Sequence, residues 1–201
     1  MIDKSTPSLP LTYYKTDPEN HPATPLPEGY EFVFYRDGDE ERWAEIEMAV
    51  GQFDSLEKAL GTFSKEFLEG QNLDPRERML FVKAPSGEYV ATCALWDGDF
   101  LGETRQRLHW LAVKDSHSGL GLARALFCRL LTLYGQLGYT DRFVYLLTSS
   151  RYYPAIRLYR GLGFVEYLGP RSLSKGLSDE EFTAEAYRAR AIVDEKLSAL
   201  R

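Results

Sequence analysis

Residues 107–123 read Arg107-Leu-His109-Trp-Leu111-Ala-Val113-Lys-Asp-Ser-His117-Ser118-Gly119-Leu120-Gly121-Leu122-Ala123. An apolar and aromatic run gives way to a polar turn at 114–118, and a helical pattern begins after two closely spaced glycines. The reading is strand, loop, helix. A helix that starts in a glycine loop turns its unpaired backbone N–H groups and the positive end of its dipole into that loop. Such a loop can hold a phosphate or a pyrophosphate.

Downstream, Leu122, Leu126, Leu130, Leu133 and Leu137 mark the buried face of a long helix that Gly138 closes. Residues 143–148 form a continuous apolar run, which predicts an interior strand covered on both faces. A second helix starts near Pro154, carries Ala155, Leu158, Tyr159 and Leu162 along one side, stops at Gly163 and leads into a short strand over 164–168. Ser178-Asp-Glu-Glu181 is a capping-box signature. It opens a terminal helix whose apolar stripe is Phe182, Ala186, Ala189, Val193, Leu197 and Leu200. That stripe covers the sheet or reaches a second copy of the chain as a homodimer.

Upstream, 105–113 is a strand, preceded by strands over 79–83 and 89–96 that a hairpin turn at Ala84-Pro85-Ser86-Gly87 joins. Asp97-Gly98-Asp99 ends the later of the two. Trp43, Ile46 and Val50 share one face of a short helix. Leu56, Leu60, Phe63 and Phe67 share one face of another, capped by Asp54 or Ser55. These side chains are core, and they can also form one wall of an acceptor pocket. The aromatic and β-branched run 30–36 is the first strand. Six prolines fall within residues 1–29, which favours an extended arm lying over the domain or a partly disordered leader. Antiparallel hairpins early and a strand–helix–strand unit late make an α/β protein with a mixed sheet.

The 201 residues suit one well-buried core. The expected division is an arm at 1–29, a domain at 30–168, and a loop and helix at 169–201. At 44% hydrophobic and 27% charged, the composition is that of an ordinary soluble protein. No apolar run approaches the ~20 residues of a membrane span, so no membrane partner is expected. The first residues lack the pattern of a secretory signal. Cys93 and Cys128 sit in apolar runs and suit small buried thiols, which points to a cytoplasmic protein. A formal charge of −6 argues against a nucleic-acid footprint. No cluster with metal-ligand spacing is present, so no metal is expected.

Ser118-Gly-Leu-Gly-Leu-Ala123, after Leu111-Ala-Val113, resembles the acetyl-coenzyme A signature of the GNAT superfamily of N-acetyltransferases, Gln/Arg-x-x-Gly-x-Gly/Ala. Ala155-Ile-Arg-Leu-Tyr-Arg-Gly-Leu-Gly-Phe164 resembles the downstream helix of that family, Ala-x-x-Leu-Tyr-x-x-x-Gly-Phe. A Gly-x-Gly string alone is weak. Both motifs in the right order, one helix and one strand apart, are specific. The resemblance implies a central, mostly antiparallel sheet flanked by helices, to which this chain adds a C-terminal helix. It also implies acetyl-CoA as co-substrate and a primary amine of a small molecule or peptide as acceptor. The alternative is a catalytically idle acyl-CoA-binding module.

Gly119 and Gly121 let the backbone approach an anion closely, so the amides from Gly119 through Leu120, Gly121, Leu122 and Ala123 to Arg124 can point at a pyrophosphate. The resemblance places the pantetheine arm against the backbone of Leu111, Ala112 and Val113, with an oxyanion donor near Leu111. Ser118 stands where the family has Gln or Arg, and Tyr152 where it often has an Asn on the pantetheine arm. Both departures keep the idle-module alternative open. Tyr159 matches the tyrosine that protonates the departing thiolate: a thiolate of ordinary pKa near ~8.5 can accept from a phenol near ~10 once the pair is desolvated. Its other reading is a core aromatic.

His109 is the candidate general base. Period-two alternation puts it on the face of Leu111 and Val113, and an imidazole suits uptake of an ammonium proton near neutrality. The run 108–113 is similar to the strand in arylalkylamine acetyltransferases that carries a His at this position. The other reading of His109 is a histidine hydrogen-bonded within the sheet. The acceptor pocket of this fold is built from segments here near 51–75 and 166–178, which carry no readable code.

Overall fold

The computed structural model describes residues 5–69, 73–139, 141–169 and 178–200. Seven strands form a mixed sheet: β1 (Pro10–Lys15), β2 (Glu31–Phe34), β3 (Met79–Lys83), β4 (Tyr89–Phe100), β5 (Glu103–Val113), β6 (Val144–Ser149) and β7 (Val165–Glu166). Their hydrogen-bonded order is β2-β3-β4-β5-β6-β1-β7. The helices are α1 (Glu40–Ala49), α2 (Leu56–Phe63), the single turn α3 (Pro75–Arg78), α4 (Leu122–Gln136), α5 (Tyr153–Gly161) and α6 (Asp179–Ser198). The chain divides into two compact units, Pro22–Trp96 with Leu108–Thr140, and Met1–His21 with Asp97–Arg107 and Asp141–Arg201.

In the first of these units β3 pairs antiparallel with β2 and with β4. The Ala84–Gly87 turn closes as expected, with the Ala84 N–H reaching the Glu88 carbonyl at 2.8 Å. α4 packs on β3 and buries Leu122, Leu126, Leu130 and Leu133, while Leu137 stays half-buried at its end. The core is an aromatic cluster of Trp43, Phe63, Phe67, Phe81 and Trp96 with Tyr35. Ser55 caps α2 by accepting from the Lys58 N–H at 3.3 Å. Leu56, expected on the buried face, is 42% exposed. The buried stripe runs through Ala59, Phe63 and Phe67, and a π turn follows at Ser64–Leu68.

In the second unit β1 pairs antiparallel with β6 from Pro10↔Ser149 to Lys15↔Val144, and with β7 at Tyr13↔Glu166 and Tyr14↔Val165. Part of the proline-rich arm is therefore a strand bonded on both sides. Pro10 is tolerated because it stands at the first strand position, and Leu11 and Tyr13 are fully buried. Asp97-Gly98-Asp99 does not break β4. Gly98 lies against the Tyr145 hydroxyl and the Arg107 side chain, which leave no room for a Cβ. The reversal comes at Leu101 and Gly102, both at positive φ (58° and 83°), the backbone of a two-residue hairpin turn that matches strand twist. β6 is interior as expected, yet Leu147 is 45% exposed, so one face is only partly covered. The capping box at Ser178 and Glu181 forms on both sides. α6 packs on α5 and β1 through Phe182, Ala186, Ala189 and Val193, while Leu200 is 52% exposed.

Candidate functional site

The glycine loop belongs to the first unit. Asp115–His117 is a 3-10 turn, after which Gly119 (φ 79°) and Gly121 (φ 80°) carry the chain into α4. Nothing lies within 4 Å of a Cβ built on either glycine. Gly121 is the N-cap, and no side chain caps it. The first helical hydrogen bond is from the Ala125 N–H to the Gly121 carbonyl, 3.0 Å. Leu122, Ala123 and Arg124 thus sit in the first turn, where backbone N–H groups have no intrahelical acceptor. Ser118, Gly119, Leu120 and Gly121 are exposed, Leu122 is buried, and Ala123 and Arg124 are half-buried. An open loop that needs no side-chain Cβ and heads a 15-residue helix fits a pyrophosphate.

The approach to this loop is tied down. The Lys114 N–H bonds the Val90 carbonyl at 2.8 Å, and its ammonium lies 2.8 Å from Glu88. That partner holds the Glu88 carboxyl below its ordinary value. His117 Nδ1 meets the Tyr30 hydroxyl at 2.9 Å, and its Nε2 lies 3.8 Å from Glu88. Neither Tyr30 nor Glu88 carries a motif that ties it to this loop.

β5 enters the same unit at Leu108. Trp110 has φ 51°, rare for a bulky residue. His109 and Trp110 both present their rings to the aromatic cluster: His109 to Phe67 with centroids 6.0 Å apart, Trp110 to Trp43 at 5.2 Å. Beyond Trp110, Ala112 is buried, and Leu111 and Val113 are half-buried. His109 Nε2 lies 2.8 Å from Glu66 Oε2, a partner 43 residues away that no local pattern announces. The Cys93 thiol donates to the His109 carbonyl at 3.4 Å, and burial pushes this thiol far above its ordinary pKa.

Tyr152 and Tyr159 belong to the second unit. Tyr152 ends the 3-10 turn Ser150–Tyr152 and stands at the N-cap of α5. Tyr159 is 6% exposed, with its ring 6.2 Å from that of Tyr13 and 6.4 Å from that of Phe164. Its carbonyl accepts the Phe164 N–H at 3.0 Å, which fixes the turn from α5 into β7. Burial raises the Tyr13 hydroxyl to about 12, with the Glu166 carboxylate adding to the shift. Of the segments expected to build an acceptor pocket, 70–72 and 170–177 lie outside the described residues.

The sequence model of the acetyltransferase (GNAT) family matches residues 40–164, from the first residue of α1 through Phe164. A 63-residue segment is 41% identical to N-acetyltransferase family 8 member 2 of Rattus norvegicus, covering 31% of this chain and 27% of the rat protein. A GCN5-related N-acetyltransferase from Sphaerobacter thermophilus has a TM-score of 0.59 at 25% identity, over 80% of this chain and 49% of that one. A GNAT-family acetyltransferase from Colwellia psychrerythraea has a TM-score of 0.60 at 14% identity, over 80% and 53%; at that identity the likeness is one of fold. This chain thus spans about half the length of these solved relatives and about a quarter of the rat protein. With the family pattern covering more than half of its residues, the chain belongs to the GNAT acetyltransferase family.

Proposed function

We propose that the protein is an acetyl-CoA-dependent N-acetyltransferase acting on a primary amine of a small molecule or peptide, by direct attack of the amine on the thioester. The observation that carries this reading is the open, uncapped entry to α4 at Gly119 and Gly121, in a chain of this family. The amides from Gly119 to Arg124 hold the pyrophosphate, and the Ser118 hydroxyl stands in for the longer side chain usual there. The backbone of Leu111, Ala112 and Val113 bonds the pantetheine arm like a neighbouring strand, and Tyr152 flanks it. The parallel ladder between β5 and β6 comprises Gln106↔Val144 and Arg107↔Tyr145, and β5 continues to Val113.

Two protons leave the acceptor nitrogen. His109 takes the first from the ammonium, which frees the lone pair for attack, and returns it to solvent. As the N–C bond forms and the C–S bond breaks, Tyr159 gives its phenolic proton to the departing sulfur. It recovers one from the nitrogen that has become an amide. A backbone N–H near Leu111 stabilises the oxyanion. The buried thiols Cys93 and Cys128 support a cytoplasmic setting.

The test is thiol release from acetyl-CoA against panels of arylalkylamines, polyamines, aminoglycosides and peptides, with calorimetric titration of coenzyme A. Micromolar coenzyme A binding and CoA release with at least one amine are expected. Binding without release from any amine overturns the transferase reading, and no binding at millimolar ligand overturns both.

A further inference from the structure

The turn after α2 is wider than an α-helix: the Glu69 N–H reaches back to the Ser64 carbonyl at 2.8 Å, closing a π turn over Ser64–Leu68. π turns interrupt helices at functional positions more often than elsewhere. Here the extra residue does two things at once. Phe67 enters the aromatic cluster at 1% exposure, and the adjacent Glu66 brings its carboxylate to 2.8 Å from His109 Nε2. Phe67 and Trp110 bracket the imidazole, with ring centroids 6.0 and 5.4 Å away. The His109 and Glu66 side chains are 18% and 35% exposed, enough contact with water for a proton to leave.

We propose that Glu66 is a positioning residue for His109, an inference that rests on His109 being the base. Its carboxylate accepts the Nε2–H, which sets the tautomer so that the lone pair is on Nδ1. When Nδ1 takes the proton of the acceptor ammonium, the imidazolium carries both N–H bonds, one of them held by Glu66. The proton then passes from Nδ1 to water. Cys93 on β4, neutral through burial, donates its thiol to the His109 carbonyl. Beyond it lies Glu47 of α1, itself pushed well above the usual carboxylate range by burial.

The experiment uses the full chain and the variants Glu66→Gln, Glu66→Asp and His109→Gln. Nitrogen-15 spectra of the imidazoles give the tautomer and titration of His109 without any ligand. The expected result is an Nε2–H tautomer in the parent, and a titration displaced to lower pH in Glu66→Gln and less so in Glu66→Asp. With acetyl-CoA and phenethylamine as the acceptor probe, kcat falls at least about tenfold in Glu66→Gln and recovers in part in Glu66→Asp. KM for acetyl-CoA stays within about twofold, and the acid limb of the rate profile follows the imidazole titration. An unchanged His109 titration and an unchanged kcat in Glu66→Gln overturn the inference while leaving the transferase reading in place. If His109→Gln turns over at the parental rate, it is the base assignment that fails, and this inference with it.

Discussion

The Tyr30 hydroxyl and His117 Nδ1 stand 2.9 Å apart with their rings edge to face, joining the segment before β2 to the turn that feeds the glycine loop. Tyr30→Phe keeps the ring and removes the hydrogen bond. The expected cost is about 1 kcal/mol of unfolding free energy, read from urea denaturation. A loosened approach to the loop also raises KM for acetyl-CoA a few-fold with kcat unchanged.

Gly121 carries φ 80° at the N-cap of α4 in open space, so a side chain there is opposed by backbone strain and not by collision. Gly121→Ala is expected to cost about 1–2 kcal/mol of stability. The added Cβ projects into the space proposed for the pyrophosphate, and coenzyme A affinity measured by calorimetry drops at least about tenfold. A variant with intact affinity would remove the loop from the binding site.

Tyr159→Phe preserves a ring that is 6% exposed and packed on Tyr13 and Phe164, so its melting temperature stays near the parent. Without the phenolic proton, turnover falls about 10²–10³-fold while acetyl-CoA still binds. Steady-state kinetics beside calorimetry check both halves of the statement. Parental turnover would make Tyr159 a core aromatic and no more.

Glu166 on β7 has a side chain only 8% exposed, with Arg160 at 3.8 Å and Arg190 at 3.9 Å. Burial pushes its carboxyl from the ordinary 4.5 to about 7; the Arg190 and Arg160 guanidinia hold it down in part, and Asp194 opposes them. Tyr13 is the further titratable group against this carboxyl. The folded protein keeps a proton on Glu166 up to about pH 7, whereas the unfolded chain releases it above about 4.5. This contribution to stability is complete below the unfolded value and disappears as the pH rises through the folded one. Glu166→Gln, neutral at every pH, is therefore expected to be more stable than the parent at pH 8, by on the order of 2–3 kcal/mol, and equal to it near pH 4.5. Denaturation curves at the two pH values decide, and an equal difference at both would exclude the titration of Glu166 as the cause.

What the sequence settles is local. The glycine loop and the leucine face of α4, the capping box of Ser178 and Glu181 and the Ala84–Gly87 turn all stand where their residues place them. Each depends on dihedral preferences and contacts within a few residues. The two family motifs are local in the same sense, which is why the glycine loop and the downstream helix are legible together. Three features were decided by tertiary structure. β1 takes its place between β6 and β7 because burying Leu11 and Tyr13 outweighs the coil preference of its proline-rich surroundings. Trp110 has a positive φ, and its ring packs on Trp43 and Phe53 across the unit. Glu66 meets His109 across 43 residues, beside a π turn at Ser64–Leu68 that hydrophobic periodicity does not show. Periodicity records which face of an element is buried; it holds no information about which distant element that face will meet.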